Sequence, residues 1–157
     1  MTQLNAILMA IDLATRRRED AARVVAQMQR NVGFANDQLA QLESYAADTD
    51  ARWTGAPSGM LSGELIRHHY QFVERLQQAI GMQAGVIADA NTQVERARSV
   101  LLQTEYRLAG LKTVLEARQA AAARLLQRRE QGVTDEFAAL VYARARNQFT
   151  QGDVAWP

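Results

Sequence analysis

From Leu4 to Trp53 apolar residues recur at alternating steps of three and four, unbroken across about seven heptads. The positions are Leu4, Ile7, Ile11, Ala14, Arg18, Ala21, Val25, Met28, Val32, Ala35, Leu39, Leu42, Ala46, Thr49 and Trp53, and only Arg18 and Thr49 are polar. A straight α-helix repeats about every 3.6 residues, so a strict period of about 3.5 drifts around it unless the helix supercoils on a partner. The spacing therefore predicts a coiled coil. Function is then to be sought in what a rod can do, and not in the enclosure of a substrate.

The cluster Thr54-Gly55-Ala56-Pro57-Ser58-Gly59 breaks this run. Its glycines permit positive φ, Pro57 stops a helix, and Ser62 can start the next one. A second seam follows: Ile66, His69, Val73, Leu76, Ile80, Gln83, Ile87, Ala90, Val94, Ala97, Leu101, Thr104, Leu108, Leu111, Leu115, Arg118, Ala122 and Leu125. A short turn between two long helices makes them antiparallel neighbours. The predicted fold is all-α, a long antiparallel two-helix coiled-coil hairpin whose second helix is longer than its first. Its helices cover about 3–53 and 61–147, with the turn at about 54–60. Residues 1–147 form one hairpin, and 148–157 a flexible tail.

The register follows from side-chain volume. If the numbers of facing residues add to 115, the chain folds back at Pro57/Ser58 and the layers read Leu39–Leu76, Ala35–Ile80, Val25–Ala90, Ala21–Val94, Ala14–Leu101 and Leu4–Leu111. Every seam alanine in these layers then meets a larger residue, which keeps the core volume even. Arg18 would face Ala97 and snorkel outward. Sums of 108 or 122 also align the seams but demand a lopsided turn. The paired part would run for about 75 Å. The first helix is used up at Leu111, so helical sequence to about Arg146 overhangs it. Leu115, Leu125, Phe137, Leu140 and Val141 are then without an intramolecular partner, and such a segment frays or waits for another protein.

Composition narrows the class. The 157 residues fit one domain and contain no cysteine, which excludes disulfides and thiolate metal sites. Apolar runs are far too short to span a membrane. The N-terminal basic cluster follows the apolar stretch, the wrong order for a secretory signal. A soluble cytoplasmic protein is expected. The net charge is +1, with residues 1–95 acidic and residues 96–146 basic, too weak an asymmetry for nucleic-acid binding. Glu64, His68 and His69 are too few for a zinc site. No phosphate loop, nucleophile elbow or Cys/His arrangement is present, and Asp135-Glu136 suits a helix beginning better than acid–base work. No catalytic residue, metal or cofactor is expected, and the chain reads as no enzyme.

The aromatics are more informative. Gln38, Leu42, Tyr45 and Thr49 make a stripe on the first helix, and Phe72, Leu76, Ala79 and Gln83 a matching one on the second. Leu42 and Leu76 belong to the seam, while Tyr45, Phe72 and Ala79 flank it. Apolar surplus beside a seam is either cover or a binding patch.

Three local matches carry a family resemblance. Ala21-Ala22-Arg23 is followed by Met28-Gln29-Arg30; Tyr70-Gln71-Phe72-Val73-Glu74-Arg75-Leu76-Gln77-Gln78-Ala79-Ile80 lies on the second helix; and Arg118-Gln119-Ala120-Ala121-Ala122 leads to Gln131 and Asp135-Glu136-Phe137-Ala138. In this order, over residues 4–147, they resemble the FliJ family of flagellar type III export proteins. The resemblance implies a stalk, similar to the shaft of rotary ATPases, that inserts into a hexameric export ATPase, promotes its assembly and activity, and contacts the membrane export gate and substrate chaperones. It implies an export-gate patch at Gln38, Leu42, Tyr45, Phe72, Leu76 and Ala79. Thr49 stands where the family has tyrosine, Gln83 where it has histidine, and Gly132 where it has lysine, so a helix break near 132 is open. Arg124, Arg128 and Arg129 are the candidates for meeting the ATPase. The place implied is the cytoplasmic face of the inner membrane at the flagellar base. A virulence-type injectisome stalk shares this physics, and a structural coiled-coil scaffold is the rival of another class. A self-sufficient hairpin predicts a monomer when free.

Overall fold

The computed structural model describes residues 2–55 and 62–152. It contains two helices, α1 (Thr2–Thr54) and the longer α2 (Gly63–Gly152), packed antiparallel. The expected fold-back at Pro57/Ser58 lies outside the described residues, as do 153–157 of the expected tail. Ser62 caps α2 as its sequence position suggests: its Oγ accepts from the Leu65 amide at 3.2 Å and its carbonyl from the Ile66 amide at 3.1 Å. Glu64 in the first turn complements the helix dipole. At the other side of the gap, the Gly55 amide donates to Ala51 and the Thr54 hydroxyl to Asp50. Gly55 reaches this end without a positive φ.

Two units make up the chain, one of residues Asp12–Leu108 and one of Met1–Ile11 with Ala109–Pro157. In the first, the core is the seam. Ala14, Ala21, Val25 and Ala35 of α1 and Leu76, Val94, Ala97 and Leu108 of α2 are buried, and the other seam residues are half-buried except Arg18, which is exposed. A helix with a single neighbour covers its seam from one side only, which is why small alanines make up half of the buried set. No buried side-chain polar atom among the described residues lacks a partner. The ion pairs Arg16–Asp12, Arg23–Asp20 and Arg98–Glu95 are exposed and lie within single helices, so they add a few tenths of a kcal/mol each at most. Burial of the seam holds this unit together.

The register differs from the expected one by a heptad. Trp53 stacks on His69 with ring centroids 3.7 Å apart and planes 3° from parallel. Gln83 donates to the Ala35 carbonyl at 2.9 Å and to Gln38 at 3.1 Å. Ala21, Val24 and Met28 share a groove with Gln93, Ala97 and Val100. The numbers of these facing residues add mostly to 121 or 122, not 115. The layers are therefore Ala14–Leu108, Ala21–Leu101, Val25–Ala97, Met28–Val94, Ala35–Ile87, Ala46–Leu76 and Trp53–His69. Arg18 lies by Leu101 and Glu105 rather than facing Ala97. Trp53 supplies the physical reason. In the 115 register it would face Ser62, which precedes α2, and its large ring would stay in water. The observed register covers that ring on a helical partner, and in exchange the first turn of α2 projects beyond the level of Thr54.

In the second unit, Leu4, Ile7 and Ile11 are half-buried with Leu111 and Leu115, and Arg118 donates to Gln3 at 3.1 Å. Leu115 is thus covered, contrary to expectation. Beyond it α2 stays helical while every residue from Glu116 to Gly152 is exposed. The helix passes Gly132 without a break and continues through 148–152, where the sequence suggested a tail. One glycine costs about 1 kcal/mol of helix propensity, too little to interrupt a run rich in alanine, leucine, arginine and glutamate.

Candidate partner-binding site

With the seam as positions a and d, an antiparallel pair has two flanks, one built from the g positions of both helices and the other from the e positions. In the Asp12–Leu108 unit they differ sharply. The g flank carries Val24, Tyr45, Leu65, Phe72, Ala79, Val86 and Val100 among the polar Arg17, Asn31, Gln38, Arg52, Gln93 and Arg107. The e flank carries Gln29, Asn36, Glu43, Asp50, Gln77, Asn91, Arg98 and Glu105, with Tyr70 its one large apolar residue. The solvent-facing grooves follow the same division, since Tyr45, Arg52, Leu65 and Phe72 line one and Val24, Gln93 and Val100 another.

Four of the six residues expected to meet an export gate lie on the g flank. Tyr45 and Phe72 touch edge to face, with centroids 5.9 Å apart and an interplanar angle of 72°. They are 56% and 39% exposed, so the pair presents both rings to solvent. Gln38 is exposed and accepts from Gln83. Ala79 is half-buried, as is the seam residue Leu42. Gln38, Gln41, Leu42, Tyr45 and Gln83 line one continuous groove beside the aromatic pair. Leu76 is only 8% exposed. Its side chain belongs to the core and props the surface from beneath. The aromatic pair survives the heptad shift because Tyr45 flanks Phe72 in either register.

Gln83 has a role that the sequence reading missed. It is a polar seam residue whose amide is spent across the interface, fixing Gln38 at the patch edge. Trp53, Leu65 and His69 extend the apolar surface past Phe72. Comparing the e and g positions of the sequence would have found Leu65. The stack depends on the register and was not legible.

Arg124, Arg128 and Arg129 all lie on the exposed stretch of α2. They do not form one cluster. Arg124 and Arg128 share a face, while Arg129 is turned about 100° from Arg128. Leu126, Val133, Phe137 and Leu140 form an apolar stripe opposite Arg124 and Arg128, and Phe137 is 68% exposed. No described helix is long and apolar enough to cross a membrane. Among the described residues no three His, Asp or Glu side chains gather to hold a metal. The surfaces offer apolar, hydrogen-bonding and cationic contacts suited to other proteins.

Comparison with known proteins agrees with this arrangement. The family model described as "Flagellar FliJ protein" matches residues 4–147. The chain is 31% identical over 140 residues to the flagellar FliJ protein of Salmonella typhi, covering 88% of this chain and 94% of that protein. It is 29% identical over 139 residues to the flagellar FliJ protein of Escherichia coli K12, with the same coverage. A two-helix seam with one apolar flank, matched over nearly its full length, places this chain in the FliJ family of flagellar export proteins.

Proposed function

We propose that the protein acts as a stalk of the flagellar export machinery, inserting into the hexameric export ATPase, stimulating it, and linking it to the membrane export gate and to substrate chaperones. The observation that carries this reading is the stretch Glu116–Gly152, helical yet exposed throughout, with the Arg118–Gln3 hydrogen bond at its start. A helix without tertiary cover is marginal in water, so an apolar stripe on such a stretch is best explained by a protein that covers it. Arg124 and Arg128, facing away from that stripe, supply polar contacts to a ring lumen. Such contacts suit an element that must not lock its ATPase. The g flank at Gln38, Tyr45, Phe72 and Ala79 supplies the gate contact, with Leu42 and Leu76 as its support. The protein then works at the cytoplasmic face of the inner membrane, has no catalytic role of its own, and is a monomer when free.

The decisive experiment adds the purified protein to the cognate export ATPase and follows hydrolysis and ring assembly. Stimulation is expected, and Arg124→Glu with Arg128→Glu should weaken it. No stimulation at saturating protein ends the proposal. For the gate, Tyr45→Ala with Phe72→Ala should weaken binding to the export-gate protein while costing about 1–2 kcal/mol of stability, in line with partly exposed truncations. Unfolding of that variant would show the aromatic pair to be core.

A further inference from the structure

The g flank does not end at the aromatic patch. Farther along the Asp12–Leu108 unit, Ala21 and Ala97 form the floor of a groove walled by Val24, Met28 and Val100, with Arg96 on its rim. The floor is buried, whereas Val24 and Val100 are 47% and 52% exposed. Small residues flanked by half-exposed valines make a hole of the kind that accepts a leucine knob from a third helix.

Charge identifies the occupant. Arg17 and Arg107 lie on this same flank, and neither they nor Arg96 meets a carboxylate among the described residues. The arginines that are paired, Arg16, Arg23 and Arg98, are all off this flank. Asp20, the nearest carboxylate along α1, is already bonded to Arg23 at 3.1 Å. An apolar groove bordered by unneutralised guanidinium groups is complementary to acidic side chains. A second copy of this chain fits poorly. Its uncovered stretch, Glu116–Gly152, holds six arginines against four acidic residues and would bring like charge to the rim.

We propose that this groove, at Val24, Met28, Arg96 and Val100, docks an amphipathic helix of another protein whose apolar stripe is bordered by Asp or Glu. This contact is separate from the aromatic patch and does not rest on the stalk reading. The docked helix seats an aliphatic side chain over Ala21 and Ala97, and its carboxylates reach Arg96 and, farther along, Arg17 or Arg107.

The test uses the full-length protein and two synthetic helices with the same leucine stripe, one flanked by Glu and the other by Lys, read by fluorescence anisotropy. The Glu-flanked helix should bind at least about tenfold more tightly, with the margin shrinking as salt is raised. Arg96→Glu with Arg107→Glu should reverse the preference, and Val100→Asp should weaken both helices. All three side chains are exposed, so the thermal melts should match wild type. Equal affinity for the two helices, binding to neither, or a preference untouched by the charge reversal would overturn the proposal. So would concentration-dependent self-association in sedimentation that Val100→Asp abolishes, because the groove would then belong to a second copy.

Discussion

Within α2, the residues up to Leu115 and those from Glu116 onward are equally helical and quite differently covered. In the earlier stretch every seam residue from Ile66 is at least half-buried, and Leu76, Val94, Ala97 and Leu108 are buried. In the later one Leu125, Leu126, Val133, Phe137 and Leu140 are as apolar, and all are exposed. Helix and packing are separate properties here. The first stretch is held by a seam, the second by the intrinsic preference of residues such as Ala120–Ala123 for the helix. The seam also loses its period, since Arg129, Gly132 and Glu136 occupy positions where the heptad would continue. An apolar stripe persists only by shifting to Leu126, Val133, Phe137 and Leu140.

The sharpest way to break this contrast is one substitution in each stretch. Leu108→Asp places a carboxylate in a buried layer opposite Ala14 and should cost about 3 kcal/mol or more, lowering the thermal midpoint steeply. Phe137→Asp should stay within about 0.5 kcal/mol. Equal losses in thermal denaturation would mean that the later stretch is packed after all.

Next in size is a test of alignment, made simple by a chain without cysteine. Leu39→Cys with Gln83→Cys places two thiols in one layer, and a disulfide should form under mild oxidation. Leu39→Cys with Leu76→Cys separates them by a heptad, about 10 Å along the axis, beyond the reach of about 7 Å between Cα atoms. Gel mobility under non-reducing conditions distinguishes the two. Cross-linking only in the second variant would restore the register with sum 115.

The smallest effect concerns Gly132. A Cβ built there meets nothing within 4 Å. Gly132→Ala should therefore gain about 0.5–1 kcal/mol of local helix stability, visible as slower amide exchange around residue 132 with little change in the global melt. Faster exchange would show that the glycine serves a bend.

The sequence pattern carried much of this architecture. Its seam assignments from Leu4 to Leu115 coincide with the half-buried and buried positions, Arg18 apart, because heptad spacing reports burial directly. The alignment of the two seams is not readable from side-chain volume. Matching alanine to a larger partner works equally well after a slip of seven: Ala35 meets Ile80 or Ile87, Ala21 meets Val94 or Leu101, and Ala14 meets Leu101 or Leu108. Only the end layer discriminates, through the indole of Trp53. At the aromatic surface, Tyr45 and Phe72 could be placed together from spacing alone. The burial of Leu76 was implicit in its seam position and was outweighed by family likeness. The cover of Leu115, which the expected register left in the overhang, followed from the same heptad slip, which moved the last covered layer from Leu111 to Leu115.

A slip of seven residues leaves most layers equally content, so the alignment of some fifty residues is stored at the closing layer by the stacked indole and imidazole, much as one tooth sets the phase of a zip. Interior layers can then vary in size and shape without disturbing where the aromatic surface sits. Replacing that one ring should free the two halves of the zip to re-mesh a notch away, sliding one flank along the other by a whole heptad.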